Sequence, residues 1–465
     1  MKKTLLLKIL LLALLLCSAT ALADAYVLLE DGTAMITRAS CYKSWNVPET
    51  VDGHPVTAIG DFAAQSEDYL ETVTIPDYVT SIGENPFRFC NKLKEIVVSP
   101  EHPTLAVVDG VLYSKPDKRL VCVPPGLKKR AVAIPKGIRI IGAYAFGGND
   151  HLKNLDIPDT VEVIGTYAFY LCNWIEEIVL PNSVTTIGDR AFLSCSSLER
   201  LNIPNSVREV GINPFGGSEN LKLKISSNHP ALTYSNGALY SKADKRLVCQ
   251  VKRNATSLSI AKGTEIIGED ACAFAELRSI TIPNTVKRIE NGALSSFELR
   301  SITIPSSVTY IGDEAFSFCG YLKSVTVPAS VTHLGARAFE RCSELKKADI
   351  RGPIETIGPK TFSDCAELSS VTLPETLREI GESAFERTYL GTVKLPEGLT
   401  TIGAKAFSAA NLKTITIPDS VTEIGPDAFK NNPDLIVKTE NEYAKQYCRD
   451  NKVPLAGDDS LDWLK

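Results

Sequence analysis

Apolar and polar residues alternate in a short pattern that recurs along most of the chain. Its clearest copies are LKNLDIPDTVEVIGTYAFYLC, IEEIVLPNSVTTIGDRAFLSC and LKSVTVPASVTHLGARAFERC, which start at Leu152, Ile175 and Leu322. In each copy "LxxIxIP" alternates as on a half-buried strand that ends at proline, and "SVTxI" predicts a second short extended segment. The next glycine permits a tight turn or a positive φ, and "xxAFxxC" is long enough for one helical turn that points its phenylalanine inward.

The pattern repeats every 22 or 23 residues, and each copy predicts one coil of a solenoid. Aligned on the proline, fourteen units can be counted between Pro48 and Pro418, and a glycine follows in every unit except the one that has Glu290. A phenylalanine stands four residues after most of these glycines, which predicts a stacked core column. Neighbouring coils must bury each other's apolar faces, and each buried Leu, Ile or Phe contributes roughly 1.5–3 kcal/mol. The predicted fold class is therefore a repeat solenoid with a parallel strand ribbon, its strands about 4.8 Å apart, and short helical turns.

Two matching segments interrupt the period: HPTLAVVDGVLYSKPDKRLVC and HPALTYSNGALYSKADKRLVC, within residues 99–130 and 226–257. An Asp-Gly pair in the first and an Asn-Gly pair in the second predict two-residue hairpin turns, so each insertion is predicted to be a small antiparallel meander. The meanders are interpreted either as a docking knob or as a protective flap over the side of the solenoid. The basic residues that they are expected to present for binding are Lys115, Lys118, Arg119, Lys242, Lys245 and Arg246.

The chain begins with a segment typical of a signal peptide. Residues 1–23 contain two early lysines, a leucine-rich run and an Ala-Leu-Ala sequence at the expected cleavage position, so we expect export and a mature start near Asp24. The further predicted regions are an N-terminal cap at 24–45, the solenoid at 46–438, and a C-terminal cap and tail at 439–465. No other stretch is long and apolar enough to predict a membrane span.

Charge and motifs argue against several classes of function. The net charge is −5 and neither sign is gathered into a long run, so a nucleic-acid-binding surface is not predicted. The five histidines are scattered, and no nucleophile elbow, zinc-protease, phosphate-loop or dinucleotide motif is present. We therefore expect no enzyme activity, no cofactor and no metal site.

Six of the twelve cysteines share one place in the repeat, seven residues after the glycine. Other units have Asn149, Thr388 or Asn432 at this place, so a small residue that can be buried or can bond to the backbone is favoured there. The main interpretation is structural filler, and disulfides between adjacent coils remain a geometrically demanding alternative. The six residues are Cys90, Cys172, Cys195, Cys319, Cys342 and Cys365.

Hydroxyl side chains recur at outward positions of the predicted ribbon, which suits either ordinary exposed strands or weak, polar, multivalent contact with a protein or a glycan. The candidate binding residues are Ser279, Thr281, Ser301, Thr303, Ser324, Thr326, Ser370 and Thr372, and Thr414 and Thr416 continue the rows. Aromatic residues at Tyr167, Tyr170, Trp174, Phe318 and Tyr321 are predicted on the turn side of the coils. Their expected role is partly buried packing, with sticky patches as the alternative.

The unit "LxxIxIPxSVTxIGxxAFxxC" resembles the BspA-like, or Treponema-type, leucine-rich repeat family of bacterial surface proteins, over about residues 46–438. The tail from Glu442 resembles the helix-and-strand cap that closes such proteins. The resemblance implies a right-handed leucine-rich-repeat-like coil and a secreted or cell-surface protein, since some members bind matrix glycoproteins or promote adhesion. The leading hypothesis is a protein-interaction or adhesion module for host or neighbouring-cell glycoproteins. The alternatives are an envelope or biofilm spacer without a discrete ligand, and a weak glycan-binding protein.

Overall fold

The computed structural model describes residues 24–295 and 298–457, which form two compact units. The N-terminal unit contains the residues up to Val210 together with Lys222–Ser226, and the C-terminal unit contains Gly211–Leu221 and the residues from Ser227 onward. In both units short parallel strands alternate with turns in successive coils, so the predicted repeat-solenoid class is confirmed. The predicted signal peptide lies outside the described residues.

Most strands have only two to four residues, and most of the other residues of each coil form turns. The strands of the N-terminal unit are Ala25–Leu28 (β1), Ala34–Arg38 (β2), Ser44–Asn46 (β3), Thr50–Val51 (β4), His54–Ile59 (β5), Thr72–Ile75 (β6), Ser81–Ile82 (β7), Glu95–Val98 (β8), Leu105–Val108 (β9), Val111–Ser114 (β10), Arg119–Cys122 (β11), Ala131–Ala133 (β12), Ile140–Ile141 (β13), Asn154–Asp156 (β14), Val163–Ile164 (β15), Glu177–Ile178 (β16), Thr186–Ile187 (β17), Arg200–Ile203 (β18), Glu209–Val210 (β19) and Lys222–Ile225 (β20). A 3-10 helix occupies Pro125–Leu127.

The C-terminal unit repeats the same construction, and its last coil is followed by an α-helix, Glu442–Asp450 (α1), and by a short segment in which Leu455 pairs with Val437. Its strands are Leu232–Ser235 (β21), Ala238–Ser241 (β22), Arg246–Gln250 (β23), Ser257–Ser259 (β24), Ile266–Ile267 (β25), Ser279–Thr281 (β26), Arg288–Ile289 (β27), Tyr310–Ile311 (β28), Ser324–Val327 (β29), His333–Leu334 (β30), Lys347–Ile350 (β31), Thr356–Ile357 (β32), Ser370–Thr372 (β33), Glu379–Ile380 (β34), Thr392–Lys394 (β35), Thr401–Ile402 (β36), Thr414–Thr416 (β37), Glu423–Ile424 (β38) and Ile436–Lys438 (β39).

The "SVTxI" strands form the longer parallel ladders. In the N-terminal unit β11, β13, β15, β17 and β19 pair in order, with Ile141, Ile164 and Ile187 in register. In the C-terminal unit β23, β25, β27, β28 and β30 form one such ladder, and β32, β34, β36 and β38 form another. Because β2, β11 and β23 also take places in parallel pairings, the coils outnumber the fourteen units predicted from proline positions.

The "LxxIxIP" strands form the predicted parallel ribbon, but the ribbon is interrupted. They pair only in groups of two or three: β3-β6-β8, β12-β14 and β16-β18-β20 in the N-terminal unit, and β24-β26, β29-β31-β33 and β35-β37-β39 in the C-terminal unit. Most of these strands end at or just before a proline after a few residues, so each pairing has few backbone bonds to hold it. We call this side of the coils the strand face.

The "xxAFxxC" segments, predicted as single helical turns, are consecutive hydrogen-bonded turns. Within one coil Tyr170 N–H donates to Tyr167 O, and between coils Phe169 N–H donates to Ala191 O, at 3.0 and 2.8 Å. The positive φ lies two residues after the repeat glycine, at Tyr167 (54°), instead of on the glycine. Gly165 is needed for another reason: a Cβ there would lie 2.8 Å from backbone atoms of the preceding coil. We call this side the turn face.

One phenylalanine per coil forms the core columns, as the sequence predicts. Phe146, Phe169 and Phe192 stack at centroid distances of 4.9 and 5.0 Å in the N-terminal unit. In the C-terminal unit six rings from Phe316 to Phe429 stack at 5.2–5.9 Å. All these rings are buried, so the column is an apolar contact that successive coils share.

Helix α1 covers the last coil of the C-terminal unit. Asn441 caps the helix by accepting a hydrogen bond from Ala444 N–H at 3.1 Å. The hydroxyls of Tyr443 and Tyr447 accept hydrogen bonds from Ile424 N–H and Ala428 N–H at 3.1 and 3.2 Å. The helix thus satisfies backbone donors that no further coil pairs with.

Candidate interaction surfaces

The two insertions form the predicted antiparallel meanders. β9 pairs with β10 and β10 with β11, and the turn at Asp109-Gly110 has φ angles of 53° and 79°, as a primed hairpin turn requires. The last strand of each meander then joins a parallel ladder, β11 with β13 and β23 with β25. Each insertion therefore rejoins the stack of coils at its end.

A buried histidine anchors the start of each meander. In the first, His102 Nδ1 accepts hydrogen bonds from Thr104 N–H and Leu105 N–H at 3.2 and 3.0 Å, while Nε2 lies 3.1 Å from Pro76 O. These contacts require a neutral ring with its proton on Nε2. His229 accepts from two backbone amides of the second meander in the same way.

The six basic residues predicted for binding have different surroundings. Lys115 and Lys242 are exposed and donate to the carbonyl oxygens of His102 and His229, each at 2.6 Å, so they also tie the meander together. Lys118 is exposed at the turn of the first meander. In the second, Arg246 is half-buried and pairs with Asp244 at 2.7 Å.

Arg119 is buried, so the expectation that it is presented to a partner is wrong. Its side chain is 9% exposed and donates to Ile82 O at 2.9 Å and Gly83 O at 3.2 Å. It also pairs with Asp117 at 2.8 Å and Glu84 at 3.2 Å. The reason is the entry of β11 into the parallel ladder, which places this guanidinium over backbone carbonyls of another coil.

Lys245 is engaged in a three-residue ion pair. Its Nζ lies 2.5 Å from Glu265, and Lys287 lies 2.7 Å from the other carboxylate oxygen. Hydrogen bonds from Lys245 and Lys287 lower the pKa of Glu265 to about 2. This predicted binding residue therefore already has a partner within the chain.

The predicted hydroxyl rows are exposed but discontinuous. In the β29-β31-β33 sheet Lys347 stands between Ser324 and Ser370, and Asp349 stands between Thr326 and Thr372. Ser301 and Thr303 lie in a segment that is not a regular strand. A hydroxyl patch on paired strands remains at β24-β26, where Ser257 and Ser259 face Ser279 and Thr281 in register.

The cysteines of the repeat position are buried hydrogen-bond donors. Cys172 and Cys195 donate to Phe146 O and Phe169 O at 3.2 and 3.0 Å, and Asn149 donates to Val123 O at 2.9 Å from the same place in its coil. Burial raises the pKa of Cys195 to about 12. The eleven cysteines of the described residues are free thiols, which supports the filler interpretation.

A group of aromatic rings and one arginine covers the turn face of the N-terminal unit. Arg88 lies 4.4 Å from the Tyr144 ring centroid and 4.5 Å from that of Phe62, and Tyr144 stacks on Tyr167 at 4.7 Å. Phe89 packs edge-on against Tyr170 at 5.8 Å. All members are half-buried. We call the following set the aromatic–arginine cluster: Phe62, Arg88, Phe89, Tyr144, Tyr167 and Tyr170.

Only Tyr167 and Tyr170 of this cluster were singled out from the sequence. The first meander separates Arg88 from Tyr144 in the chain, although their coils are neighbours: Asn85 donates to Tyr144 O at 2.7 Å. A usable signal was the position two residues after the glycine, which holds Phe62, Tyr144 and Tyr167. Trp174, predicted beside them, lies apart and contacts His151 and Lys153.

The sequence matches the family model for the BspA type leucine-rich repeat region over residues 36–106, 127–236, 248–368 and 319–436. The chain belongs to this family. No curated protein matches the chain in sequence.

Among solved structures, the BspA-type chain is similar to a leucine-rich repeat protein from Bacteroides ovatus, with 24% identity, a TM-score of 0.46, and 95% of this chain and 99% of that one covered. It is also similar to the pneumococcal vaccine antigen PcpA, with 18% identity, a TM-score of 0.44, and coverage of 95% and 96%. A leucine-rich cell surface protein from Faecalibacterium prausnitzii has 23% identity, a TM-score of 0.35, and coverage of 93% and 97%.

Two classes of site are lacking in the described part of this BspA-type protein. Residues 24–295 and 298–457 bring together no group of three His, Cys, Asp or Glu side chains that could hold a metal ion. Over the same ranges, no helix has the length and apolar content needed to cross a bilayer.

Proposed function

We propose that this BspA-type repeat protein is exported and acts as an interaction or adhesion module for a host or neighbouring-cell protein or glycoprotein. The observation that carries the proposal is the aromatic–arginine cluster. Tyrosine and arginine are enriched among the residues that dominate binding energy at protein interfaces. Here three tyrosines and an arginine lie together on three neighbouring coils and stay partly accessible.

The cluster offers a positive charge that the chain itself does not neutralise. Among the described residues, Arg88 has no carboxylate within ion-pair distance; it donates to Gln65 at 2.7 Å, and its buried Nε has no hydrogen-bond partner. An acidic group of a partner protein or glycan could pair with this guanidinium. Because the rings already stack on it, little side-chain freedom would be lost on binding.

Export is part of the proposal, and two features support it. The segment 1–23, although outside the described residues, has the composition of a signal peptide, and the chain belongs to a repeat family typical of bacterial surface proteins. Cleavage near Ala23 is a prediction that mass spectrometry of the protein recovered from its producing cells can check.

The alternative, a structural spacer without a discrete ligand, is favoured by the charges of the C-terminal unit. Many of them pair between neighbouring coils, for example Arg337 with Glu314 at 3.1 Å and Arg387 with Asp364 at 3.3 Å. Such self-paired charges need no external partner. The third candidate, weak glycan binding, is supported by the hydroxyl patch on β24 and β26.

The test is solid-phase binding of residues 24–465 to immobilised fibronectin, fibrinogen and mucin, with albumin as the control surface. We expect saturable binding to one of the first three and a loss of roughly tenfold or more in affinity for Arg88→Ala. Arg341→Ala is the matched control, because Arg341 packs over Phe318 at 5.1 Å on the turn face of the other unit. Equal, weak signals on all four surfaces would favour the spacer.

A further inference from the structure

One seam between adjacent coils of the N-terminal unit lacks the backbone bonds that its neighbours have. On one side of it Asn154 N–H donates to Arg130 O at 3.0 Å, and on the other Arg200 N–H donates to Glu176 O at 3.1 Å. The corresponding bond from Glu177 N–H to Lys153 O is missing between these two described coils. Strands β14 and β16 are therefore unpaired with each other.

The opening is confined to the strand face. The same two coils are joined in the next ladder, where Val163 and Ile164 pair with Thr186 and Ile187. They are joined again on the turn face, where Phe169 N–H donates to Ala191 O at 2.8 Å. The seam is thus a cleft on the strand face between two coils that are bonded to each other elsewhere.

Two apolar side chains are at least partly exposed in this cleft. One is at an outward position that is polar in the neighbouring coils, and the other is at an inward position whose register partner is buried. Val179 stands at the outward strand position that holds Asp156 and Asn202 in neighbouring coils, and its side chain is 64% exposed. Leu155 belongs to the inward column but is only half-buried, whereas its register partner Val132 is 6% exposed. The seam therefore uncovers part of the core.

An exposed tryptophan borders the cleft, and charges of both signs form its rim. Trp174 is 45% exposed and is held by Lys153 at 5.3 Å and by His151 at 5.9 Å from its ring. Trp174 and Lys153 border an open groove of about 370 Å³. The charged residues around it are Lys153, Glu176, Glu177 and Arg200.

The unmet backbone groups have the spacing of a strand edge. The two strand edges that border the cleft are called its lips. The lip that contains β14 has Lys153 O and Leu155 O, and the lip that contains β16 has Glu177 N–H and Val179 N–H. These groups would bond to each other if this seam were closed like its neighbours. Groups two residues apart on one lip recur at about 7 Å, which is the repeat of an extended peptide. Regularly spaced backbone groups on two facing strand edges suit a main chain better than a sugar.

The other edge of β16 is already engaged with the following coil. Asn202 Oδ1 accepts from Leu180 N–H at 2.7 Å, and Asn202 Nδ2 donates to Leu180 O at 2.8 Å. Leu180 N–H faces that coil in the same way as Ile134 N–H, which donates to Asp156 O at 3.0 Å. The edge of β16 that faces Lys153 and Leu155 is therefore the one left for a bound chain.

We propose that this cleft binds an extended peptide segment of a partner protein, through main-chain hydrogen bonds to its lips and an apolar side chain against Val179 and Trp174. The inference rests on the proposed function of protein interaction and specifies the chemistry of the partner. Because the rim has charges of both signs, we expect no preference for a strongly acidic or strongly basic peptide. The apolar lining favours a segment with aliphatic or aromatic residues at alternate positions.

The same association of an open seam with an exposed aromatic recurs in the C-terminal unit. There the residues 301–304 and the strand β29 have no mutual backbone bonds within the described structure, and Tyr321, 43% exposed, precedes β29. Arg300 lies 5.9 Å from the Tyr321 ring, as Lys153 lies near Trp174. The outward residues of that seam are Thr303 and Thr326, so it lacks the apolar lining.

The test begins with selection of peptides from a random eight-residue phage library on residues 24–465, followed by fluorescence anisotropy with the synthetic peptides. We expect the affinity to fall roughly tenfold or more with Val179→Lys and with Trp174→Ala. Val97→Lys is the matched control, because Val97 has the same outward position, is 44% exposed, and lies on a strand that is bonded to the preceding coil, in register with Thr74. It should change the affinity less than about twofold, and circular dichroism should show all three variants folded.

A second measurement separates main-chain pairing from contact by side chains alone. N-methylation removes the N–H groups of alternate peptide residues. Methylation of the set that faces the cleft should abolish binding, and methylation of the other set should be tolerated. Hydrogen exchange of the Glu177 and Val179 amides should slow when peptide is bound. Peptides that bind Val179→Lys as well as the original chain, a selection without binders, or binding insensitive to N-methylation in both registers would each overturn the inference. If Val179→Lys lost peptide binding but kept glycoprotein binding, the proposed function would stand, and the glycoprotein would bind elsewhere on the chain. If the original chain bound peptides but no glycoprotein, the proposed function would be wrong and the peptide-binding cleft would stand.

Discussion

The turn faces of the two units place different chemistry on the same backbone. Two residues after the repeat glycine, the N-terminal unit has Tyr144 and Tyr167, with φ of 53° and 54°, and the C-terminal unit has Glu314 and Arg337, with φ of 56° and 55°. The tyrosines stack at 4.7 Å, whereas the charged pair makes an ion pair at 3.1 Å. The coil therefore fixes the conformation at this position but leaves the side chain open, and such positions are where function can differ between units.

Beneath both faces the buried column is nearly identical. Phe146 and Phe169 stack at 4.9 Å with planes 14° apart, and Phe316 and Phe339 stack at 5.2 Å with planes 5° apart. The core position is phenylalanine in most coils, where each ring packs on the ring of the next coil, and Ala64, Cys272 and Leu294 fill it in the others. The contrast between constant core and variable face can be tested by changing each in turn.

The largest effect is expected from truncating the core column. Phe169→Ala and Phe339→Ala should each lower the free energy of unfolding by about 3–5 kcal/mol, because each leaves a cavity between two stacked rings. Urea denaturation followed by hydrogen exchange of each unit measures the loss. Tyr389→Ala, at an exposed ring, is the control and should cost much less. A loss below about 1 kcal/mol at either phenylalanine would contradict the equivalence of the two columns.

The core column illustrates what a single sequence can predict here. Period, phenylalanine position and cysteine position are local and repeated, so the coil, its buried residues and the two meanders follow from the chain alone. The burial of Arg119 does not, because its partners Ile82 and Gly83 belong to a coil on the far side of the first meander. The aromatic–arginine cluster was hidden for the same reason.

The open seam could not be predicted, because pairing between coils depends on small differences in backbone spacing that the repeat does not encode. Val179 was nevertheless a visible signal: an aliphatic residue at an outward position that is polar in the neighbouring coils. The glycines gave a misleading signal. Their place suggested a positive φ, whereas close contact between coils is what excludes a side chain there.

The next effect in size concerns the buried thiols, which should make both units sensitive to alkali. Burial raises the pKa of Cys195 in the N-terminal unit and of Cys272 in the C-terminal unit to about 12 each. The folded chain keeps these protons above pH 9, where unfolded thiols release theirs, so stability falls as pH rises from about 9 towards 12. The loss should reach about 1 kcal/mol per thiol per pH unit.

Urea denaturation at pH 8 and pH 10 of the original chain and of Cys195→Ala measures this effect. The variant should be less stable at pH 8, and its deficit should shrink at pH 10 because it has one thiol fewer to deprotonate on unfolding. Cys272→Ala should behave in the same way. Deficits that stay constant between the two pH values would mean that these thiols ionise without unfolding.

Exchanging the faces should change binding more than stability. The double variant Tyr144→Glu, Tyr167→Arg copies the ion pair of the C-terminal unit and should weaken binding to a captured glycoprotein roughly tenfold. Its free energy of unfolding should fall by about 1 kcal/mol, the worth of the aromatic contacts. The reverse exchange, Glu314→Tyr with Arg337→Tyr, should fold with a near-ultraviolet dichroism signal from the new stack. Unchanged binding in the first variant would mean that the aromatic–arginine cluster does not contribute to glycoprotein binding.

The smallest effect is expected at a self-paired charge of the C-terminal unit, Glu265, which contrasts with the unpaired Arg88 of the N-terminal unit. Because hydrogen bonds from Lys245 and Lys287 lower the pKa of Glu265 to about 2, its contribution to stability is present above the ordinary carboxyl pKa near 4.5 and is lost as pH falls towards 2. The difference in melting temperature between the original chain and Glu265→Gln should therefore be constant at pH 5–7 and vanish near pH 2. Lys287→Met should move this loss to higher pH, since one of the two hydrogen bonds that hold the charge is removed. A difference that does not depend on pH would assign the effect to packing of the side chain.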